Sequence, residues 1–266
     1  LVTSEMVASQ EMVQAKPGAR EKAELGFDQG RTAVQLAGRE AYWMAEAARV
    51  VEANGAAMID INMGCPAKKV TQGYSGSALM RNLDHALTLI EAVVDIPVTL
   101  KTRLGWDDAT LNAPELAKRA EAAGIRRIVI HGRTRCQFYK GHADWVAIAA
   151  VKDAVKIPVI ANGDIVDTAT ARTALTASGA DGVMIGRGAQ GRPWILRDIA
   201  AELNGQVAPK APTGRALIDL VQGHYDAMLS FYGTDLGAKT ARKHLGWYMD
   251  MTRPEPDLRR TILTQR

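Results

Sequence analysis

The octapeptide Asn62-Met63-Gly64-Cys65-Pro66-Ala67-Lys68-Lys69 sets one thiol on a glycine- and proline-shaped turn with two cations just behind it. It follows a short apolar run, Met58 to Ile61, that reads as a strand. A cysteine held this way suits proton delivery or uptake at a pocket mouth beside an anionic ligand. Proline and glycine fix the backbone, and neighbouring lysines tune the thiol. Read by itself, Cys65 is equally a small buried hydrophobe, the common state of a free cysteine. Cys136 has no neighbour that gives it a role and reads as structural.

Other polar residues stand at or near the ends of apolar runs. They are Gln35, Lys101 with Arg103 two positions on, His131 followed by Arg133, then Asn162-Gly163-Asp164 and Gly186-Arg187-Gly188. A strand-end lysine alone reads as a solvated rim charge, but Lys101 and Arg103 share one strand face, which favours a common ligand. His131 alone also reads as a satisfied core histidine. Gln35 lies in an otherwise apolar strand and must be hydrogen-bonded if buried, a need that a planar ligand edge would meet. The two glycine turns leave backbone N–H groups free beside arginines, as a phosphorylated cofactor or substrate requires.

These residues need a frame that brings strand ends together. Strands are expected at Leu1–Met6, Ala33–Leu36, Met58–Ile61, Val98–Lys101, Arg127–His131, Val159–Asn162 and Gly182–Ile185. Helices are expected at Ala41–Ala53, Ser77–Val94, Pro114–Ala123, Trp145–Val155, Thr168–Ser178 and Pro193–Leu203. Repeated strand–helix units mean a parallel sheet with right-handed crossovers. The expected fold class is α/β, a (β/α)8 TIM barrel, with catalytic groups at the C-terminal ends of its strands. If the last two strands carry the barrel's phosphate turns, counting backwards makes Leu1–Met6 the second strand. The first βα unit is then expected to lie upstream of this chain, leaving an open seam with unpaired edges.

The barrel is expected over residues 1–205, a linker over 206–212, and a small all-α domain, expected to be cut short, over 213–266. Two helices, about Arg215–Phe231 and Leu236–Met251, are expected there, broken by Gly233, with a basic helix from Asp257 to Arg266. Gly186-Arg187-Gly188-Ala189-Gln190-Gly191 fits a dinucleotide-binding fingerprint, but the helix after it leads into the linker rather than another strand. It reads instead as a barrel phosphate turn. The chain has 266 residues, 47% hydrophobic and 23% charged, with a net charge of +4 and pI of about 9.1, as for a mildly basic globular protein. No run approaches the ~18–20 apolar residues of a membrane span, and the start is unlike a signal peptide. Two cysteines make no disulfide framework, so the cytoplasm is the expected compartment. No metal is expected.

The ordered set of motifs resembles the tRNA-dihydrouridine synthases, flavin-dependent enzymes of the bacterial cytoplasm. It comprises Val34-Gln35-Leu36-Ala37-Gly38, Asp60-Ile61-Asn62-Met63-Gly64-Cys65-Pro66, Leu100-Lys101-Thr102-Arg103, Ile130-His131-Gly132-Arg133-Thr134, Ala161-Asn162-Gly163-Asp164 and Ile185-Gly186-Arg187-Gly188. Gln190-Gly191-Arg192-Pro193-Trp194 and Arg242-Lys243-His244-Leu245 extend the likeness into the tail. The resemblance implies FMN, with Asn162, Gly163, Asp164, Gly186 and Arg187 at its phosphate, Gln35 and Lys101 at its ring and His131 beside it. It implies that NADPH reduces the flavin, that hydride passes from flavin N5 to C6 of a flipped uridine, and that Cys65 protonates C5. A thiol of ordinary pKa ~8.5 is a usable acid near neutrality. Asn62 and Arg103 are the candidates for gripping the uracil. Lys68, Lys69, Arg133, Arg242 and Lys243 are expected to contribute to tRNA binding, the tail docking by shape and phosphates.

The family's first strand carries a proline–methionine turn that covers the flavin, and this chain begins after it. Weak FMN occupancy and self-association of the fragment at the seam are therefore expected, with a monomeric full-length protein. Other readings stand beside this one: an FMN-dependent oxidoreductase of free pyrimidines, a non-catalytic RNA-binding or regulatory protein, or a Schiff-base aldolase using Lys101. The basic tail argues against a small substrate, and an aldolase would leave Asn62-Met63-Gly64-Cys65 unexplained.

Overall fold

The computed structural model describes residues 1–16, 32–93 and 97–265. Its frame is one parallel sheet of eight strands: β1 (Val2–Thr3), β2 (Val7–Ala8), β3 (Thr32–Ala37), β4 (Met58–Met63), β5 (Val98–Arg103), β6 (Arg127–His131), β7 (Val159–Asn162) and β8 (Gly182–Met184). From β3 to β8 each strand lies beside its predecessor in sequence, and β1 and β2 both pair with β3. This order never reverses, so the sheet lacks the switch point of a doubly wound fold and has the singly wound, TIM-like order.

Period-two patterning makes the sheet two-faced. Val34, Leu36, Ile59, Ile61, Val98, Leu100, Ile128, Ile130, Val159 and Ala161 are buried on one face. Each such large side chain contributes about 1.5–3 kcal/mol when buried, which drives the strands against their crossover helices. Helix Ala41–Ala53 packs on β3 and β4 and buries Met44, Ala47, Ala48 and Val51. Helices Leu83–Glu91, Ala113–Ala122 and Val146–Ala154 repeat the pattern with Leu89 and Ile90, Leu116 and Ala120, then Ile148 and Val151. The alternate positions of the same strands hold the sheet's polar residues Gln35, Asp60, Asn62, Thr99, Lys101, Arg103, His131 and Asn162, among apolar ones such as Val129 and Ile160.

Four elements depart from the expected ones. The expected strand Leu1–Met6 is split into β1 and β2, with one residue more between Thr3 and Val7 than between their partners Ala33 and Leu36. Ser4 absorbs the bulge, because its hydroxyl accepts from Gln35 N at 3.0 Å. The expected helix Ser77–Val94 is a 3-10 turn, Gly76–Arg81, followed by Leu83–Glu91. Asn82 causes the break: its extended backbone stops the first turn, and its side chain caps the second by accepting from His85 N at 3.0 Å. A short helix Ser9–Val13, with Met12 buried, follows β2. The basic helix expected to Arg266 runs Pro256–Thr264; residue 266 lies outside the described residues.

The chain divides into two compact units, one of Leu1–Gly163 with Thr173–Met184, the other of Asp164–Arg172 with Ile185–Arg266. The second unit holds helix Ile195–Leu203, the long helical run Gly214–Thr252 and helix Pro256–Thr264. Gly233, at φ 74° and ψ 169°, breaks the long run into two helices that fold back on one another. A Cβ on Gly237 would lie 2.7 Å from Met228 O, so glycine permits that close crossing. His224 bonds Tyr248 at 3.1 Å across the hairpin. Among the described residues no helix is long and apolar enough to cross a membrane.

Candidate active site

The polar face of the first unit follows from register. Gln35 is paired with Asp60, Asp60 with Thr99, Asn62 with Lys101, Arg103 with His131, and His131 with Asn162. Paired positions in a parallel sheet project to the same side. Five strands therefore bring an amide, a carboxylate, a lysine, an arginine and a histidine onto one surface.

Cys65 sits just past the end of β4 on a turn that Asn62 builds. Asn62 Oδ1 accepts from Gly64 N at 3.1 Å and Cys65 N at 3.0 Å, an Asx-type turn. The far side is fixed by Ser77, whose N and Oγ both donate to Cys65 O, at 3.1 and 2.8 Å. Gly76 has φ +59°, and a Cβ there would lie 2.8 Å from Cys65 O. Only glycine lets the 3-10 turn back up against the thiol's loop. The Cys65 residue itself is partly exposed.

Beneath the turn runs a chain of buried side chains. Asn62 Nδ2 donates to Gln35 Oε1 at 2.8 Å, Gln35 Nε2 donates to Asp60 Oδ2 at 2.7 Å, and Thr99 Oγ1 donates to Asp60 Oδ1 at 2.6 Å. Burial pushes the Asp60 carboxyl above the ordinary carboxylate range, opposed by these hydrogen bonds and by the charges of Lys101 and Arg127. Burial holds the Lys101 ammonium down at about 8, with Asp60 supporting its charge and Arg103 opposing it. Cys65 lies near enough to act electrostatically on both Lys101 and Arg103. Among the described residues Lys101 Nζ has no hydrogen-bond partner. A cation depressed by burial and lacking an acceptor fits a ligand that brings an anionic or carbonyl edge.

The two buried arginines are built into the walls. Arg103 donates from Nε to Gly64 O at 2.7 Å and from Nη1 to Thr134 O and Phe138 O, both at 2.9 Å. Substrate recognition by Arg103 would thus fall to its Nη2. Arg133 donates to Lys140 O at 3.0 Å and Gly141 O at 2.7 Å, and its Nη1 lies 3.3 Å from His131 Nε2. A guanidinium can only donate, so His131 Nε2 is the acceptor there. Gly163, at φ +112°, passes so close to His131 that a Cβ would sit 2.7 Å from its Cδ2. Asn162 donates to Met184 O at 2.8 Å, and Trp145 Nε1 to Gly163 O at 2.9 Å. Lys68 and Lys69 are exposed on the short helix Lys68–Thr71 after the thiol's turn.

In the second unit Asp164 adopts φ +54°, and Gly186 precedes the 3-10 turn Arg187–Ala189, where Arg187 is exposed. Arg242 donates to Gln265 O at 3.0 Å, and Lys243 stands over the Trp247 ring at 5.9 Å. Arg259 pairs with Asp250 and Arg260 with Asp257, so these tail cations are partly neutralised. Among the described residues no group of acidic, histidine and cysteine side chains could hold a metal.

A family model for dihydrouridine synthases matches residues 1–265. The chain belongs to the dihydrouridine synthase family. It is thereby placed among the oxidoreductases, as tRNA-dihydrouridine synthases are. A probable tRNA-dihydrouridine synthase of Rhodobacter capsulatus is 66% identical over 254 residues, 94% of this chain and 78% of its own length. One from Rhizobium leguminosarum bv. phaseoli is 56% identical, covering 96% of this chain and 78% of the relative. The tRNA-dihydrouridine synthase B of Vibrio vulnificus is 44% identical, covering 98% and 82%. A solved nitroalkane oxidase of Streptomyces ansochromogenes aligns at 16% identity with a TM-score of 0.37, over 68% of this chain and 56% of its own.

Two functional candidates escape a reading by strand ends. Asp60 lies inside β4 rather than at its end, Ser77 opens a segment that reads as helix, and Gly76 stands just before it. A signal was present for the first: an acidic residue between Ile59 and Ile61 in an apolar strand needs buried partners.

Proposed function

We propose that this chain reduces the C5=C6 bond of uridines in tRNA, with Cys65 as the acid that protonates C5. FMN, reduced by NADPH, would supply the hydride taken up at C6. The observation that carries the reading is the meeting of the Cys65 turn with Asn62 and Lys101 on one sheet face, in a chain of this family. Lys101 offers a cation to the acceptor edge of the flavin, and Gln35, His131, Asn162 and Gly163 line the same face. Asp164, Gly186 and Arg187 keep the anion-binding role that the resemblance gives them, within their own unit. Asn62 and Arg103 Nη2 are the donors available to a uracil. Lys68, Lys69, Arg133, Arg242 and Lys243 are proposed to serve the tRNA.

Cys65 needs no base to act as an acid: it gives its proton to C5 as C6 gains hydride, and solvent restores it. General acid catalysis of this kind is worth about 100- to 10,000-fold. The test is mass-spectrometric mapping of dihydrouridine in tRNA from cells lacking the gene. At least one position should lose the modification and regain it from a plasmid copy. An unchanged dihydrouridine profile would refute the assignment.

A further inference from the structure

The chain Thr99–Asp60–Gln35–Asn62 ends on the backbone N–H groups of Gly64 and Cys65, and its two amides can point only one way. At the upper end Gly64 N and Cys65 N are obligate donors, so the oxygen of Asn62 must face them. Its Nδ2 then turns to Gln35, which must answer with Oε1, leaving Nε2 to meet a carboxylate oxygen at the lower end. Both ends thus enforce the same orientation, and Asp60, 3% exposed, anchors it from inside the sheet. Replacing that acceptor with an apolar group would leave Gln35 Nε2 unsatisfied and let the amide turn.

We propose that Asp60 is a positioning residue: through Gln35 and Asn62 it fixes the turn that carries Cys65, and it makes Asn62 meet a ligand as a donor. With Oδ1 occupied by two backbone donors, Asn62 has only an N–H left outside the relay. That N–H can only donate, so it meets an acceptor atom of a ligand and not a donor such as an amino group. The proposal deepens the assignment of Cys65 as the acid and rests on it for its catalytic meaning. The turn itself can be tested apart from catalysis.

Cys136 provides the control, since it is an exposed free thiol outside the relay. Iodoacetamide labelling of both cysteines is followed by mass spectrometry in the full-length protein, and the Cys65-to-Cys136 rate ratio is compared among variants. Asp60→Leu and Gln35→Met, which break the relay at its base and middle, should raise the ratio about fivefold or more as the turn loosens. Asp60→Asn keeps an acceptor for Gln35 and should stay within about twofold of wild type. If Asp60→Leu fails to fold, Gln35→Met carries the test. An unchanged ratio in Gln35→Met, or an equal rise in Asp60→Asn, overturns the proposal. Neither result depends on whether Cys65 is the acid, which Cys65→Ala activity decides separately.

Discussion

At the residue scale the account turns on two charges in one desolvated place. Lys101 is held near 8 by burial, and Asp60 is the charge that keeps it from falling further. Reagent labelling of Lys101 in the flavin-free protein should show half-maximal reactivity near pH 8, and Asp60→Asn should move that midpoint lower. A midpoint at the ordinary lysine value would contradict the burial on which this depends. Gly76→Ala should cost about 2 kcal/mol or more, since its φ is positive and its Cβ would meet Cys65 O at 2.8 Å; denaturant unfolding measures it. Cys65, Lys101 and His131 were legible because chemistry-bearing residues end apolar runs. Asp60 was legible only as an acid in an apolar strand that needs buried partners; the Gln35 and Thr99 bonds reveal which partners it takes.

At the scale of elements, β6, β7 and helices Ala41–Ala53 and Thr168–Ser178 lie where hydrophobic period alone puts them. Period fails where a polar side chain replaces a backbone partner, as Ser4 does between β1 and β2 and Asn82 does before Leu83–Glu91. These substitutions are side-chain events, which a pattern of apolar residues does not record. The helical hairpin carries a pH response of its own. Burial depresses the His224 pKa below the ordinary histidine value, while in the unfolded chain it returns to about 6.5. The unfolded state then binds the proton more readily, so stability is fully present above pH 6.5 and lost as pH falls from there through the folded value. Melting temperature followed from pH 8 to 5 should show the loss, and His224→Gln should flatten it. A melting temperature independent of pH across that range would refute the sign.

At the scale of the whole molecule, the unreversed strand order and the all-helical segment after β8 were both readable, because strand–helix alternation stops where the linker begins. The charge of the tail was less so: in the basic helix after Pro254, Arg259 is paired with Asp250 and Arg260 with Asp257, contacts that composition does not record. Lys239 and Lys243, exposed on the second helix of the hairpin, are the cations we propose for phosphate contact. Replacing both by Ala should weaken tRNA binding and lower the slope of log affinity against log salt by about 2; an unchanged slope would move the tRNA surface elsewhere. The most direct measurement of all is single-turnover dihydrouridine formation by Cys65→Ala in the reduced, full-length enzyme, with tRNA affinity measured alongside. The expected result is a fall of about 100-fold or more in the rate with affinity held within twofold. A rate near wild type would show that the proton comes from another group.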